Sequence, residues 1–465
     1  MFKEYKEIRF FRVFLTLWIT YATYTVVRRP LSVARADIQH DTGFTPAETS
    51  LVDSVFVLSY TNGQLLYGRI SRCWGNKQLL FYGILLSAAA LVCLALASTL
   101  PFFCLAWSIN GIAQAAGWAT CLSIMNAWVF PSERGRVMGW WSTNMAVGGL
   151  VGNIFPAFLI GKGFSWRVAV ASEAAIILVV GGVLLLLLVQ HPNLVGFPSV
   201  QQIEGGEQPT RWTSINHSPH LNKDGEVHEP SMQPTDLPVQ QNENEFHKES
   251  GVLTFCSIIQ LPGVRDICAS YFLHKLVRYG FMFWLPYFAV QELKYTTEIA
   301  GYLTSAFDIG GVVGTVASGY ISDWMFCGRG RTRVVLLFTV GMVLGTLSFA
   351  VFSHLFAEKA LLFAAVTGIV GFFAFAIDAL LSGSFLLDYL EQIQMANHAG
   401  AISGVMGGVG SVGSVFQGVF TVVLSTSSWP TLFYSFGLAT ALAGAFLIYP
   451  LRRELQQKSK TPYTV

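Results

Sequence analysis

The sequence predicts an all-α membrane protein, with twelve transmembrane helices arranged as two pseudo-symmetric bundles of six. Three observations predict it. Only 12% of the 465 residues are charged while 53% are hydrophobic. A soluble domain carries about 25% charged residues, and half that charge cannot cover a water-facing surface of this size. Twelve apolar stretches follow one another, each near the roughly 20 residues that a hydrocarbon core of about 30 Å requires. Landmarks in the first six also recur in the second six. Arg28 is followed forty residues later by Gly68-Arg69-Ile70-Ser71, and Arg278 forty-one residues later by Gly319-Tyr320-Ile321-Ser322-Asp323. The same composition, with a net charge of only +2, argues against a nucleic-acid binder, a disulfide-stapled secreted domain and a disordered scaffold.

The first six spans are expected near 11–36, 50–70, 78–98, 101–128, 137–160 and 168–190. The second six are expected near 264–289, 297–321, 334–353, 360–387, 399–424 and 429–450. The domains that follow are an N-terminal half over 1–191, a linker over 192–252, a C-terminal half over 253–450 and a tail over 451–465. The linker region holds nine acids against three bases (Arg211, Lys223, Lys248) and is rich in Gln, Asn, Pro and Ser. Such a segment cannot bury a core and is expected to be disordered. Its histidines (217, 220, 228, 247) are too widely spaced to suggest a metal site. The seven cysteines lack CxxC or CxxH spacing and read as buried apolar fillers.

Lys and Arg in short loops set orientation. Sixteen lie on the side of the termini, including Arg69, Arg134, Arg331 and Arg452, against four on the other side, Lys162, Arg167, Lys294 and Lys359. Both termini and the linker are therefore expected in the cytosol, which puts the Asn216-His217-Ser218 sequon on the wrong side for glycosylation. The polar stretch before the first span is short and offers no cleavage site, so no cleavable signal is expected.

Ionisable residues within spans are costly and need a partner or a watery cavity. The candidates are Arg28, Arg29, Asp53, Glu173, Lys275, Arg278, Asp308 and Asp378. Arg28 and Arg278 stand out, each midway along its helix and each at the same place in its half. A guanidinium stays charged and presents a planar fork of donors that matches phosphate or carboxylate oxygens. Two forks suit the charge of a phosphate monoester; dicarboxylates and sulfate fit on charge alone. The glycine run of the eleventh span (Gly404, Gly407, Gly408, Gly410, Gly413, Gly418) follows no strand, so it reads as helix packing and not as a phosphate loop. No metal spacing or nucleophile elbow is present, and no enzyme, metal site or cofactor is expected.

The run YATYTVVRRP at 21–30 resembles the first-helix signature of the organophosphate:phosphate antiporters of the major facilitator superfamily. KLVRYG at 275–280 followed by WLP at 284–286 resembles its seventh-helix segment. Arg134-Gly135 with Trp141 and Gly148-Gly149, Gln114 with Gly117-Trp118, Ser165-Trp166-Arg167 and the G-x-I-S-D run at 319–323 agree with it. The segment from Leu261-Pro262-Gly263 to Phe307-Asp308-Ile309-Gly310-Gly311 looks closest to the eukaryotic sugar-phosphate exchangers.

The resemblance implies the major facilitator fold, with two parallel six-helix repeats and a site between them. It implies exchange of an organic phosphate (a sugar phosphate or glycerol-3-phosphate) for inorganic phosphate by alternating access, in a monomer embedded in the bilayer. Arg28 and Arg278 match the family's phosphate-binding arginines. Asp308 matches its eighth-helix acid, expected to pair with Lys275 or Arg278 in the empty site. Tyr24, Tyr60 and Tyr279 are expected to add hydroxyls and aromatic walls, and Arg69 and Asp323 to mark gating loops. Met145 stands where bacterial members have a histidine and Gln64 where they have a lysine, both at expected pocket positions. Arg72 replaces an expected aspartate and Ala119-Thr120 a proline pair. The alternatives are a transport-inactive sugar-phosphate sensor and a facilitator for another organic anion. The endoplasmic reticulum is the expected membrane, with plasma or bacterial inner membrane the other possibilities.

Overall fold

A computed structural model describes residues 2–130, 137, 140–198, 255–326, 331–395, 399–425 and 427–460. The linker core and the Arg134-Gly135 pair lie outside the described residues. The long helices of the first half are α1 (Thr16–Val26), α2 (Pro46–Trp74), α3 (Asn76–Leu96), α4 (Leu100–Trp128), α5 (Asn144–Gly161) and α6 (Trp166–Leu187). Those of the second half are α7 (Val264–Gln291), α8 (Ala306–Phe326), α9 (Arg331–Phe356), α10 (Ala360–Leu381), α11 (Ala399–Ser425) and α12 (Trp429–Phe446). Among the described residues nine helical runs are long and apolar enough to cross a membrane. The other three expected spans correspond to α2, α4 and α7, of 28 or 29 residues. These are long enough to cross but more polar, and the arrangement is consistent with twelve crossings.

Local chemistry sets the boundaries. Thr45 and Glu48 form a capping box before α2: Glu48 Oε2 accepts the Thr45 N–H at 2.8 Å and Thr45 Oγ1 accepts the Glu48 N–H at 3.2 Å. Ser165 and Ser428 cap α6 and α12 through the N–H groups of Val168 and Thr431. No proline interrupts the chain between residues 47 and 74, so α2 continues to Trp74 and only Gly75, with φ of 79°, separates it from α3. The expected second-to-third loop is therefore almost absent. Arg69 and Asp323 sit on helical backbone at the ends of α2 and α8, and their side chains lie outside the described set.

The surface is apolar where lipid must lie. Leu186 is 79% exposed and Leu361 85%, a pattern stable only against hydrocarbon. Two of the described cysteines, Cys121 and Cys268, are buried, whereas Cys93 and Cys256 are exposed. The expectation of buried fillers holds only for the first pair, because an outward apolar face of this bundle accepts a thiol as readily as its core does. Within the second half a phenylalanine cluster joins α7, α9 and α12, with the Phe349 ring 5.2 Å from Phe281 and 5.0 Å from Phe433. Helices α8 and α10 meet backbone to backbone. A Cβ on Gly371 would stand 1.9 Å from the Phe307 carbonyl oxygen.

The two halves touch unevenly. The described side-chain hydrogen bonds between them join the segment 29–37, α2 and α5 of the first half to α7, the short helix Thr297–Thr304, α8 and α11 of the second. Thr297 donates to Asp37 at 2.8 Å, Ser54 to the Val415 carbonyl at 3.3 Å and Asn153 Nδ2 to Asp308 at 2.9 Å. Toward the termini, among the described residues, nothing lies within 4 Å of where a Cβ would stand on Gly404, Gly407 or Gly408 of α11. Among the described residues the hydrogen bonds between the halves thus lie midway along the bundle or on the side opposite the termini.

Because the α8–α10 contact admits no Cβ, Gly371→Val is expected to abolish a monodisperse peak in size-exclusion chromatography. A substitution to Ala at Gly404, where space is open, is expected to leave the peak unchanged.

Candidate functional site

The site begins with a break in the first span. Pro30 has no N–H and disfavours helical backbone at the residue before it. The chain tightens there: Arg28 N–H donates to the Thr25 carbonyl and Arg29 N–H to the Val26 carbonyl, both three residues back. The helix resumes only at Pro30–Val33. Two consecutive arginines on this distorted turn point to different partners. Arg28 turns into its own half, where Nε donates to Gln114 Oε1 at 2.5 Å. Arg29 crosses to the other half, where Nη2 donates to Asp308 Oδ1 at 2.6 Å and Nη1 to the Met282 carbonyl at 3.1 Å.

The Met282 carbonyl is available for a reason written in the sequence. Pro286 lies inside α7, and a proline leaves the carbonyl four residues before it without its helical donor. Ser32 Oγ also reaches this bend, with distances of 3.3 Å to the Met282 and 2.6 Å to the Phe283 carbonyl oxygens. Farther out, Arg35 pairs with Asp53 in a buried contact and lies over the Trp284 ring at 4.0 Å. Gly149 of α5 makes room for the crossing pair, since a Cβ there would stand 2.2 Å from Asp308 Oδ1 and 2.5 Å from Arg29 Nη2.

In the second half Arg278 Nη1 donates to Asp378 Oδ2 at 2.5 Å, and Lys275 Nζ lies 3.0 Å from Asp378 Oδ1. The Tyr271 hydroxyl donates to the same Oδ1 at 3.1 Å. The Arg278 guanidinium stacks over Phe375 at 4.1 Å.

Arg28, Arg29 and Arg278 all line one cavity at the interface, with Met145, Tyr279 and Met282 among its other walls. Its free volume is about 10 Å³, close to what one water molecule needs. Three buried guanidinium nitrogens around it have no hydrogen-bond acceptor among the described residues: Nη2 of Arg28, Nε of Arg29 and Nε of Arg278. A buried donor left unpaired costs about 1–3 kcal/mol, more on a charged group. The cavity therefore presents unpaired cationic donors from both halves to anything that enters.

The sequence-expected residues divide as follows. Arg28, Arg278, Tyr279 and Met145 meet at the cavity. Tyr60 lies beside it, its ring 4.9 Å from the Arg28 guanidinium, and Lys275 stands behind Arg278 on Asp378. Tyr24 is fully buried and gives its hydroxyl to the Leu80 carbonyl at 3.3 Å, inside its own half. Gln64 is half-buried on α2 and, among the described residues, has no hydrogen bond or ion pair to the cavity. Asp308 makes an ion pair, but with Arg29 and not with Lys275 or Arg278. The acid that pairs with those two is Asp378 of α10, which lies closer to them across the second bundle.

Three residues near the cavity were not assigned to the site from the sequence. Tyr21, two helical turns before Arg28, has its ring 5.9 Å from that guanidinium. Gln114 orients Arg28 and is itself held by Asn110, whose Oδ1 accepts from Gln114 Nε2 at 3.0 Å and from Ser87 Oγ at 2.6 Å. A polar pair four residues apart in an apolar helix was the available signal. Asp378 was legible as a charge in a span, but not as the partner of Arg278.

The sequence pattern of the Major Facilitator Superfamily matches residues 13–418 and again 267–463. The chain belongs to that superfamily of multi-pass membrane proteins. Among curated relatives it is 28% identical to sugar phosphate exchanger 3 of Xenopus laevis, over 87% of this chain and 79% of the relative. It is 23% identical to a glucose-6-phosphate exchanger of Homo sapiens, over 95% and 93% of the two chains. It is 24% identical to a putative glycerol-3-phosphate transporter of Arabidopsis thaliana, over 95% and 91%.

Removing one charge of the Arg29–Asp308 pair leaves the other buried without compensation, at a cost of about 3–5 kcal/mol. Asp308→Asn is therefore expected to weaken closure on the side opposite the termini. Spin labels at Phe164 and Lys359, both exposed on that side, are expected to show a longer-distance population in the variant than in the parent protein.

Proposed function

We propose that this protein exchanges an organic phosphate, either a sugar phosphate or glycerol-3-phosphate, for inorganic phosphate by alternating access. The observation that carries this reading is the meeting of Arg28 and Arg278 in one interfacial cavity, each with an unpaired buried donor. The relatives named above support the substrate class. A phosphate monoester carries a charge of about −1.5 to −2 at pH 7 and three strong acceptor oxygens, enough to receive donors from both halves at once.

The cycle follows from that geometry. With the terminal side open, an anion enters and bridges Arg28 and Arg278, drawing the halves together around it. The contacts that close the other side, Arg29 with Asp308 and with the bend of α7, must open for release there. An empty carrier lacks the bridging anion, leaves the donors unpaired and reorients slowly, so transport is an exchange. Inorganic phosphate presents the same oxygens and serves as the counter-substrate. Asp308 acts as the coupling acid of the interface, and Arg69 and Asp323 act at the helix ends where the halves separate. The linker over 192–252 tethers the two bundles, the termini face the cytosol, the carrier works as a monomer, and the endoplasmic reticulum is the favoured membrane.

Arg28→Lys keeps the charge but removes the planar fork. In reconstituted vesicles it is expected to lower phosphate exchange at least tenfold, and parental rates in that variant would sink the two-arginine clamp. Vesicles preloaded with phosphate are expected to take up labelled sugar phosphate, and phosphate-free vesicles to take up almost none. Equal uptake in both would replace exchange by uniport or proton symport.

A further inference from the structure

Resting on the phosphate reading of the same cavity, we infer that Asp378 is an internal counter-anion that sets the charge class of the substrate at two negative charges. Four cations gather around the cavity: Arg28, Arg29, Lys275 and Arg278. Two carboxylates oppose them. Asp308 is fully buried, and both of its oxygens are taken, Oδ1 by Arg29 and Oδ2 by Asn153. Asp378 holds Arg278 through one oxygen and Lys275 and Tyr271 through the other. His274 lies buried beside this cluster, its Nε2 without a partner among the described residues, and the count takes only the arginines, the lysine and the two carboxylates. The excess is two positive charges, and Arg28 and Arg278, each with an unpaired buried donor, both line the cavity between the halves.

This count distinguishes Asp378 from Asp308. Asp308 is consumed by the contact between the halves. Asp378 and Arg278 belong to the same half, so movement of one half against the other does not part them, and Asp378 subtracts one charge from the site. Without it, Lys275 and Arg278 would stand unopposed on adjacent turns of α7. The site would then favour a trianion and release a dianion poorly. With it, Arg278 keeps its Nε free for an incoming oxygen while its Nη1 remains held, so the guanidinium is oriented before the anion arrives. One unit charge about 5 Å away, in an effective dielectric of about 20, alters affinity by roughly two orders of magnitude. That is ample to separate mono-, di- and trianions.

The test is equilibrium binding of labelled inorganic phosphate to the purified full-length protein, displaced by dimethyl phosphate (a monoanion), phosphate, and pyrophosphate (mainly a trianion). The parent protein is expected to prefer phosphate. In Asp378→Asn the affinity ratio of pyrophosphate to phosphate is expected to rise at least tenfold. In Lys275→Gln, which removes one cation, the ratio of dimethyl phosphate to phosphate is expected to rise at least tenfold. A purely structural role for Asp378 would weaken all three ligands together and leave the ratios in place. A ratio moved less than tenfold in Asp378→Asn overturns the inference. If that variant yields no monodisperse protein, Lys275→Gln decides by the same threshold. Absence of phosphate binding to the parent protein would instead reject the phosphate reading itself, and the charge count with it.

Discussion

An arginine inside a hydrocarbon slab cannot lose its charge and cannot leave it bare. Nearly every feature that positions this site answers that constraint. Arg29 is satisfied by Asp308 and by a carbonyl of α7, and that satisfaction lies between the two halves. Arg278 is satisfied by Asp378 within its own half. Arg28 is satisfied in part by Gln114, which Asn110 holds in turn. The three arginines are supported in three different ways, by the interface, by an acid and by an amide. What remains unpaired on them converges on one small cavity.

Two prolines make the interface possible. Pro30 interrupts the first span so that neighbouring arginines diverge, one inward and one across. Pro286 lies inside α7 and frees a backbone acceptor at the place where Arg29 and Ser32 arrive. A regular helix at either position would hide the carbonyl or align the arginines with their own bundle. Gly149 completes the fit by leaving no side chain where the crossing pair must lie. Backbone irregularity at membrane depth is tolerated in α7 because the freed Met282 carbonyl meets Arg29 and Ser32 of the opposite half.

Much of this could be read from the chain alone. Low charge, apolar stretches and the matched positions of Arg28 and Arg278 indicated two six-helix halves with a cationic site between them. Both arginines, Met145 and Tyr279 line one cavity. Pairing was less legible. Asp308 and Asp378 are both acids in apolar helices of the second half, and sequence offers no measure of which reaches Arg278 and which reaches across to Arg29. Tyr24 carried the motif's appearance of a pocket residue, yet room left by Gly83 and Gly117 lets it turn into the α3–α4 wall. Periodicity places a residue on a helix. It does not say which neighbouring helix its side chain will meet.

The adjacency of Arg28 and Arg29 has a mechanical meaning. The two residues share one peptide link on a turn held by hydrogen bonds to Thr25 and Val26. Both guanidinium groups line the cavity, and that of Arg29 also holds the opposite bundle. A pull on the first would bear on the same short stretch of backbone that carries the second. The distorted turn is therefore a fulcrum with a load on either arm, and what the cavity holds can be felt at the clamp without any longer chain of contacts between them.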